Sequence, residues 1–323
     1  MADAAEGDAF VLNLSLLASA ICALLPGLFI HSFIIGVNVN DWWKRRSTTT
    51  VDHILTCLGI SRMCTQCTLT LYFILATFFL CGLDLVLVES IINPFYAFFF
   101  NSNIWLTALL SIIFCLKIST FRTTLFLYLK SMIIHRSGRV IVISLLLSAI
   151  TSLVYMFIAN NKIPNGETCN TTMDYPLSHL SYILSIYSFI IGSLTPLLFY
   201  FISSVLLFIS LYHHTVKLKM RSNLSINLDT YYSAMKFVSF TFIYNTTYFI
   251  GYCACALYHV FHHALVAWPY IILDFLSVLH SSYMIYRTVK LRSQMSKVLQ
   301  IVTNFLLERK SSETIETIEV VAR

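Results

Sequence analysis

The sequence predicts an all-α membrane protein: a seven-transmembrane helix bundle with its N-terminus outside and a short amphipathic helix after span 7. Three observations predict it. Of 323 residues, 58% are hydrophobic and 11% charged, against about 25% charged in a soluble domain. Seven stretches supply the roughly 20 mostly apolar residues that a spanning helix needs. Lys and Arg gather on alternate sides of those stretches. So little charge cannot cover a soluble surface, which excludes a water-soluble enzyme, a disordered regulator and a nucleic-acid-binding module. No segment alternates apolar and polar residues over the ten or so positions of a barrel strand.

The spans read as 10–38, 51–80, 96–127, 139–159, 181–212, 232–257 and 267–288. Pro26-Gly27 in the first and Pro196 in the fifth are breakers that membrane helices tolerate when neighbours take up the freed backbone groups. Lys44, Arg45 and Arg46 follow span 1, and Lys130, Arg136 and Arg139 follow span 3. Lys217, Lys219 and Arg221 follow span 5, and Arg287, Lys290, Arg292 and Lys297 follow span 7. The opposite side holds Lys162 with a set of acidic residues that includes Asp84, Glu89, Glu167 and Asp174. The positive-inside rule then places the N-terminus outside and the C-terminus inside. The net charge of +6 is thus a signal of topology.

The first apolar run is too long for the core of a signal peptide, so span 1 reads as an uncleaved anchor. Residues 1–290 are expected to form the bundle and 291–323 a cytoplasmic helix and tail. In that segment Met295, Val298, Leu299, Val302, Phe305 and Leu306 recur at helical spacing among Lys and Arg, the pattern of a helix lying on the inner leaflet. Ser311, Ser312, Thr314 and Thr317 follow as a polar tail. The longest outer loop, about 160–180, carries the sequon Asn170-Thr171-Thr172. Cys81 and Cys169 both fall near the oxidising outer face, where a disulfide between them is an open alternative. Cys64 and Cys67 inside span 2 read as helix packing. No cysteine or histidine pattern has metal-ligand spacing, and no cofactor is expected. His259, His262 and His263 in the last outer loop read as ordinary loop histidines, with metal binding as the rival reading.

Ionisable groups inside a bilayer are functional candidates. Arg62 lies about 17 Å from the inner end of span 2, and Asp274 in span 7 about 20 Å above the inner face. If spans 2 and 7 adjoin, the two are expected to pair. Lys117, deep in the inner half of span 3, either snorkels to the interface or makes an internal contact. Tyr270, Asp274, Ser277 and Ser281 recur at i, i+4, i+7 and i+11, one face of a helix, and should point into the bundle. Trp105, Tyr248 and Tyr270 fall at similar depth. They form either an interfacial aromatic belt or, with a carboxylate below them, a ligand cavity, which is the better fit.

Further motifs lie in order along nearly the whole chain. Val37-Asn38-Val39-Asn40-Asp41-Trp42 ends span 1, and Leu58-Gly59-Ile60-Ser61-Arg62 lies in span 2. Phe114-Cys115-Leu116-Lys117-Ile118-Ser119-Thr120-Phe121 and then Phe126-Leu127-Tyr128-Leu129-Lys130 occupy the inner end of span 3. Pro196, Ser210-Leu211 with His214, Ala234-Met235-Lys236, His280-Ser281 and Lys290-Leu291-Arg292 complete the set. Together they resemble the type 2 (bitter) taste receptors, a G-protein-coupled family, and they replace the Asp-Arg-Tyr, Cys-Trp-x-Pro and Asn-Pro-x-x-Tyr signatures of commoner receptors. Departures from the family pattern at His31, Phe114, Thr288, Leu109 and Tyr270 mark a divergent member.

The resemblance implies a plasma-membrane, multi-pass chemosensory glycoprotein for small bitter or toxic compounds, coupled to a gustducin-like heterotrimeric G protein. It puts ligand-binding positions at Trp105, Ala108, Leu109, Tyr248, Tyr270 and Asp274. Structural or activation roles go to Arg62, Lys117, His280 and Ser281. A G-protein-facing surface is expected from Arg122, Lys130, His214, Lys217 and Lys236, beside membrane lipid. Asp274 would be a counter-ion for cationic ligands unless Arg62 holds it. The alternatives are a vomeronasal-type pheromone receptor or a small-solute transporter or channel. No internal repeat of the kind transporters carry is visible in the chain.

Overall fold

The computed structural model describes residues 2–78, 83–119, 124–160, 180, 183–184, 186–220, 228–262 and 268–321. Among these, the regular elements are helical: α1 (Ala2–Trp43), α2 (Thr50–Phe78), α3 (Leu83–Ile118), α4 (Thr124–His135) and α5 (Ser137–Asn160). A π-helical turn (Ile190–Leu194) leads into α6 (Thr195–Met220), followed by α7 (Leu228–His262), α8 (Trp268–Arg287) and α9 (Val289–Val321).

The link from α1 to α2 shows how closely local chemistry dictates the path. At the end of α1, Arg46 N–H donates to Asp41 O at 3.0 Å and Arg45 N–H to Trp42 O at 3.1 Å. With Arg45 at φ 51°, this is a Schellman cap. Thr49 then caps α2 reciprocally: its N–H donates to Asp52 Oδ2 at 2.9 Å, and Asp52 N–H donates to Thr49 Oγ1 at 3.2 Å. The two caps turn the chain back within six residues. Asn38 Nδ2 ties the helices together by donating to Asp52 O at 3.3 Å.

Among the described residues, five stretches are long and apolar enough to cross a membrane: Phe10–Trp43, Thr50–Phe78, Ser90–Ile118, Gly138–Phe157 and Ile186–Lys217. They match the first five expected spans with one correction. The third does not run to residue 127: α3 ends at Ile118 and α4 begins at Thr124, as Lys117 and Ser119 interrupt the apolar run. Helices α7 and α8 fall on the sixth and seventh expected spans but are less apolar. Ser233, Lys236, Ser239, Thr241, Asn245, Thr246 and Thr247 interrupt α7, and α8 holds Asp274, Ser277, His280, Ser281 and Ser282 within its 20 residues.

The chain divides into residues Met1–His280 and Ser281–Arg323. In the first unit α3 is the hub, packing on α2, α5 and α6. Its most apolar window is 78% buried, against 28% for α1 and 22% for α5. The outer faces of α1 and α5 expose Leu25, Phe29, Ile143, Leu146, Ile150 and Leu153, which suits contact with lipid. One apolar cluster joins Leu17 and Ala20 of α1 to Leu69 and Phe73 of α2 and Ile271 of α8. A second joins Phe100 of α3 to Tyr244, Tyr248 and Tyr252 of α7 and Leu273 of α8. In the second unit α9 is longer than the short helix expected. It runs unbroken through Ser311, Ser312, Thr314 and Thr317 to Val321, and exposes Leu299, Ile301, Val302 and Phe305.

Candidate functional site

Arg62, 2% exposed, stands at the centre of a polar chain through the bundle. Its Nε donates to Asn103 Oδ1 on α3 at 3.0 Å. Asn103 Nδ2 passes the bond on, donating to the Tyr248 hydroxyl on α7 at 3.2 Å. Arg62 Nη1 meets His280 Nδ1 on α8 at 3.1 Å. Guanidinium has donors only, so His280 Nδ1 accepts. The imidazole lies against Tyr244, ring centroids 4.3 Å apart and planes 10° from parallel. One turn along α2, Gln66 Nε2 donates to the backbone carbonyl of Asp274 at 3.3 Å. Four helices are thereby joined by charged or amide groups that a bilayer interior would otherwise leave unsatisfied.

Beside this chain, toward the C-terminal end of α3, the helices α3, α6 and α7 part around a narrow, partly open cleft within which only a couple of water-sized molecules fit at once. Arg62, Asn103 and Tyr248 line it with Thr107, Ala108, Tyr200, Tyr244 and Asn245. Ile104, Pro196, Leu197 and Phe249 form its apolar wall. Pro196 lies two residues past the end of the π-helical turn, a local rewinding of the kind often found at functional sites. It is seated by Gly192, where an added Cβ would lie 3.0 Å from Asn101 Oδ1.

Of the expected ligand positions, Ala108 and Tyr248 line this cleft. Leu109 is buried nearby on α3 without lining it. The three aromatics do not converge. Tyr270 meets Tyr96 edge-on at 5.9 Å, Tyr96 stacks on Phe100 at 5.7 Å, and Phe100 stacks on Tyr248 at 6.0 Å. Trp105 stands outside that ladder, tilted against Phe199 of α6 at 6.4 Å, because it points from another face of α3 than Phe100. Its indole Nε1 is buried with no hydrogen-bond partner among the described residues.

Asp274 is buried at 6% exposure but is not a lining residue. The expected Arg62–Asp274 pair is absent among the described residues. The reason is register. Gln66, one turn from Arg62, stands level with Asp274, whereas Arg62 stands level with His280. Ser277 and Ser281 are buried, as the polar stripe on α8 requires.

Lys117 is exposed in the last turn of α3. Lys130 and His214 are half-buried, and Lys217 and Lys236 exposed. Arg122, Asn170, Cys81, Cys169 and His263 lie outside the described residues, as do the side chains of His259 and His262. Sequence reading passed over Asn103, Gln66, Tyr244 and the Tyr96–Phe100 pair. One signal for Asn103 was present: Asn101-Ser102-Asn103 are three polar residues in the middle of an apolar span.

A family model described as "Taste receptor protein (TAS2R)" matches residues 10–303. "Taste receptor type 2 member 9" of Papio hamadryas is 32% identical over 205 residues, 62% of this chain and 64% of that protein. The chain thus aligns with a little under two thirds of that relative's length. The member 9 protein of Pan troglodytes is 28% identical over 303 residues, covering 89% of this chain and 94% of its own. "Taste receptor type 2 member 2" of Homo sapiens is 26% identical over 229 residues, 70% and 76% of the two chains.

Proposed function

The chain belongs to the taste receptor (TAS2R) family, a family of receptors and not of enzymes, and from that premise we propose that it is a G-protein-coupled receptor for small bitter compounds. Residues 1–290 cross the plasma membrane seven times from an outer N-terminus, with Asn170 glycosylated outside and residues 291–323 along the inner leaflet. The observation that carries the reading is the cleft between α3, α6 and α7, bounded at one end by the Arg62–Asn103–Tyr248 chain.

An agonist that enters from the outer side contacts Ala108 and Tyr248. Trp105, Leu109, Tyr270 and Asp274 shape the surrounding wall. The cleft is narrow, so agonist binding selects a state in which α6 and α7 stand further from α3. Arg62 and His280 carry that change to α2 and α8, and Ser281 and Lys117 belong to the same inner half. A gustducin-like heterotrimeric G protein docks on the inner surface offered by Arg122, Lys130, His214, Lys217 and Lys236.

The test is calcium mobilisation in cells co-expressing the chain and a gustducin-type chimeric G protein, against a broad panel of bitter compounds. Ala108→Leu, which fills the cleft, should abolish any response at unchanged surface expression. Silence of the wild-type receptor across the panel, with surface expression confirmed, would overturn the reading.

A further inference from the structure

The hydrogen-bond directions in the cleft carry information about ligand charge. Arg62 is cationic at any physiological pH, and no Asp or Glu is among the lining residues. Asn103 is spent in relaying that charge: its carbonyl accepts from Arg62 Nε at 3.0 Å and its amide donates to the Tyr248 oxygen at 3.2 Å. Bonds arranged head to tail polarise one another. The Tyr248 oxygen is occupied as an acceptor, so its own proton must point elsewhere. Among the described residues no acceptor receives that proton, although Tyr248 is only 7% exposed and lines the cleft. The neighbouring Tyr200 hydroxyl is already engaged, donating to Thr241 O at 3.0 Å. The site thus offers one buried, cation-polarised O–H donor beside apolar walls at Ile104, Leu197 and Phe249.

Resting on the receptor reading above, we infer that the cleft selects small molecules pairing an apolar ring with an anionic oxygen, such as a carboxylate or sulfonate, and disfavours ammonium compounds. The Tyr248 hydroxyl donates to the anionic oxygen, and the positive field of Arg62 favours it at short range in a water-poor cavity. An ammonium group finds neither a carboxylate nor a free acceptor on the Arg62–Asn103–Tyr248 chain, and it meets the same field with the opposite sign. Asp274, buried on α8 without lining the cleft, acts on the Tyr248 hydroxyl with the opposite sign to Arg62, so the direct hydrogen bond from that hydroxyl decides the preference.

The probes are benzoate and benzylammonium, which share a ring and differ in the charge of the attached group. Each is titrated against the purified full-length receptor in lipid nanodiscs, with the thermal midpoint as readout. Benzoate should raise the midpoint at concentrations where benzylammonium does not. Tyr248→Phe, which also removes the acceptor of Asn103 Nδ2 and is therefore read against its own ligand-free midpoint, should raise the benzoate concentration needed by roughly tenfold or more. Asn103→Asp, which sets a carboxylate against Arg62, should also abolish the preference for benzoate. Equal or better stabilisation by benzylammonium, no stabilisation by either probe, or a benzoate response untouched by Tyr248→Phe would each overturn the inference. Benzoate binding without signalling in the calcium assay would overturn the receptor reading and leave the charge selectivity standing. Signalling by ammonium agonists alone would do the reverse.

Discussion

The ring of His280 lies flat on that of Tyr244, with centroids 4.3 Å apart, while its Nδ1 takes a hydrogen bond from Arg62 at 3.1 Å. One buried side chain on α8 thus serves a cation on α2 and an aromatic face on α7. His280→Leu would keep the bulk and leave Arg62 without that acceptor, at a cost of about 1–3 kcal/mol. His280→Asn supplies an oxygen acceptor again. The Leu variant should therefore show the lower thermal midpoint of the two in detergent or nanodiscs. Equal midpoints would mean that the hydrogen bond contributes little.

Helix α2 abuts α1 at Gly27, where an added Cβ would run into the Gln66 carboxamide. Gln66 cannot swing aside freely, since it is 1% exposed and bonded to the Asp274 carbonyl. Gly27→Ala should destabilise by about 1–2 kcal/mol. Gly36→Ala, on the same helix with nothing within 4 Å of the added atom, should be neutral or stabilising by about 0.5–1 kcal/mol. Combining Gly27→Ala with Gln66→Ala should recover part of the loss, a non-additivity expected of residues in contact.

The bond from Gln66 goes to the Asp274 backbone carbonyl, a group that any side chain at position 274 retains. Asp274→Asn removes a buried carboxylate and should leave the midpoint and surface expression unchanged or improved. Gln66→Leu should cost about 1 kcal/mol of stability and so lower the midpoint. Loss of surface expression in Asp274→Asn comparable to that of Arg62→Ala would restore the ion pair expected from depth alone.

Trp105 carries a buried indole N–H with no partner among the described residues. Trp105→Phe removes that donor and keeps an aromatic ring against Phe199, so lost area and relieved desolvation should nearly cancel. The expected change in stability is under about 1 kcal/mol, read as a small shift in midpoint. A drop of several kcal/mol would show that the indole nitrogen is satisfied in the membrane-embedded protein.

Arg45 holds φ 51° at the cap of α1, a conformation that costs a non-glycine residue about 1–2 kcal/mol. Arg45→Gly should raise the midpoint while leaving the Arg46–Asp41 ion pair in place. No gain would indicate that the Arg45 side chain itself steadies the turn.

The sequence by itself determined the membrane class, the approximate positions of the first five spans apart from the inner end of the third, and the family motifs. Each is written in a contiguous run: a helix in lipid must satisfy its own backbone bonds, so it needs a long apolar stretch, and a cap needs only its neighbours. It also marked Arg62 and Asp274 as buried polar groups, since lipid would leave them unsatisfied, and pointed to His280 only through a family motif; Lys117, marked with them, is exposed. Which of these meet was decided by the tertiary structure. Depth along a span is legible only to about a helical turn, and one turn separates Gln66, which meets the Asp274 carbonyl, from Arg62, which meets Asn103 and His280. Rotation of a helix about its axis is likewise set by packing, because the apolar surround of a membrane helix leaves little periodicity to read. That rotation placed Ala108 on the cleft and turned Trp105 away toward Phe199.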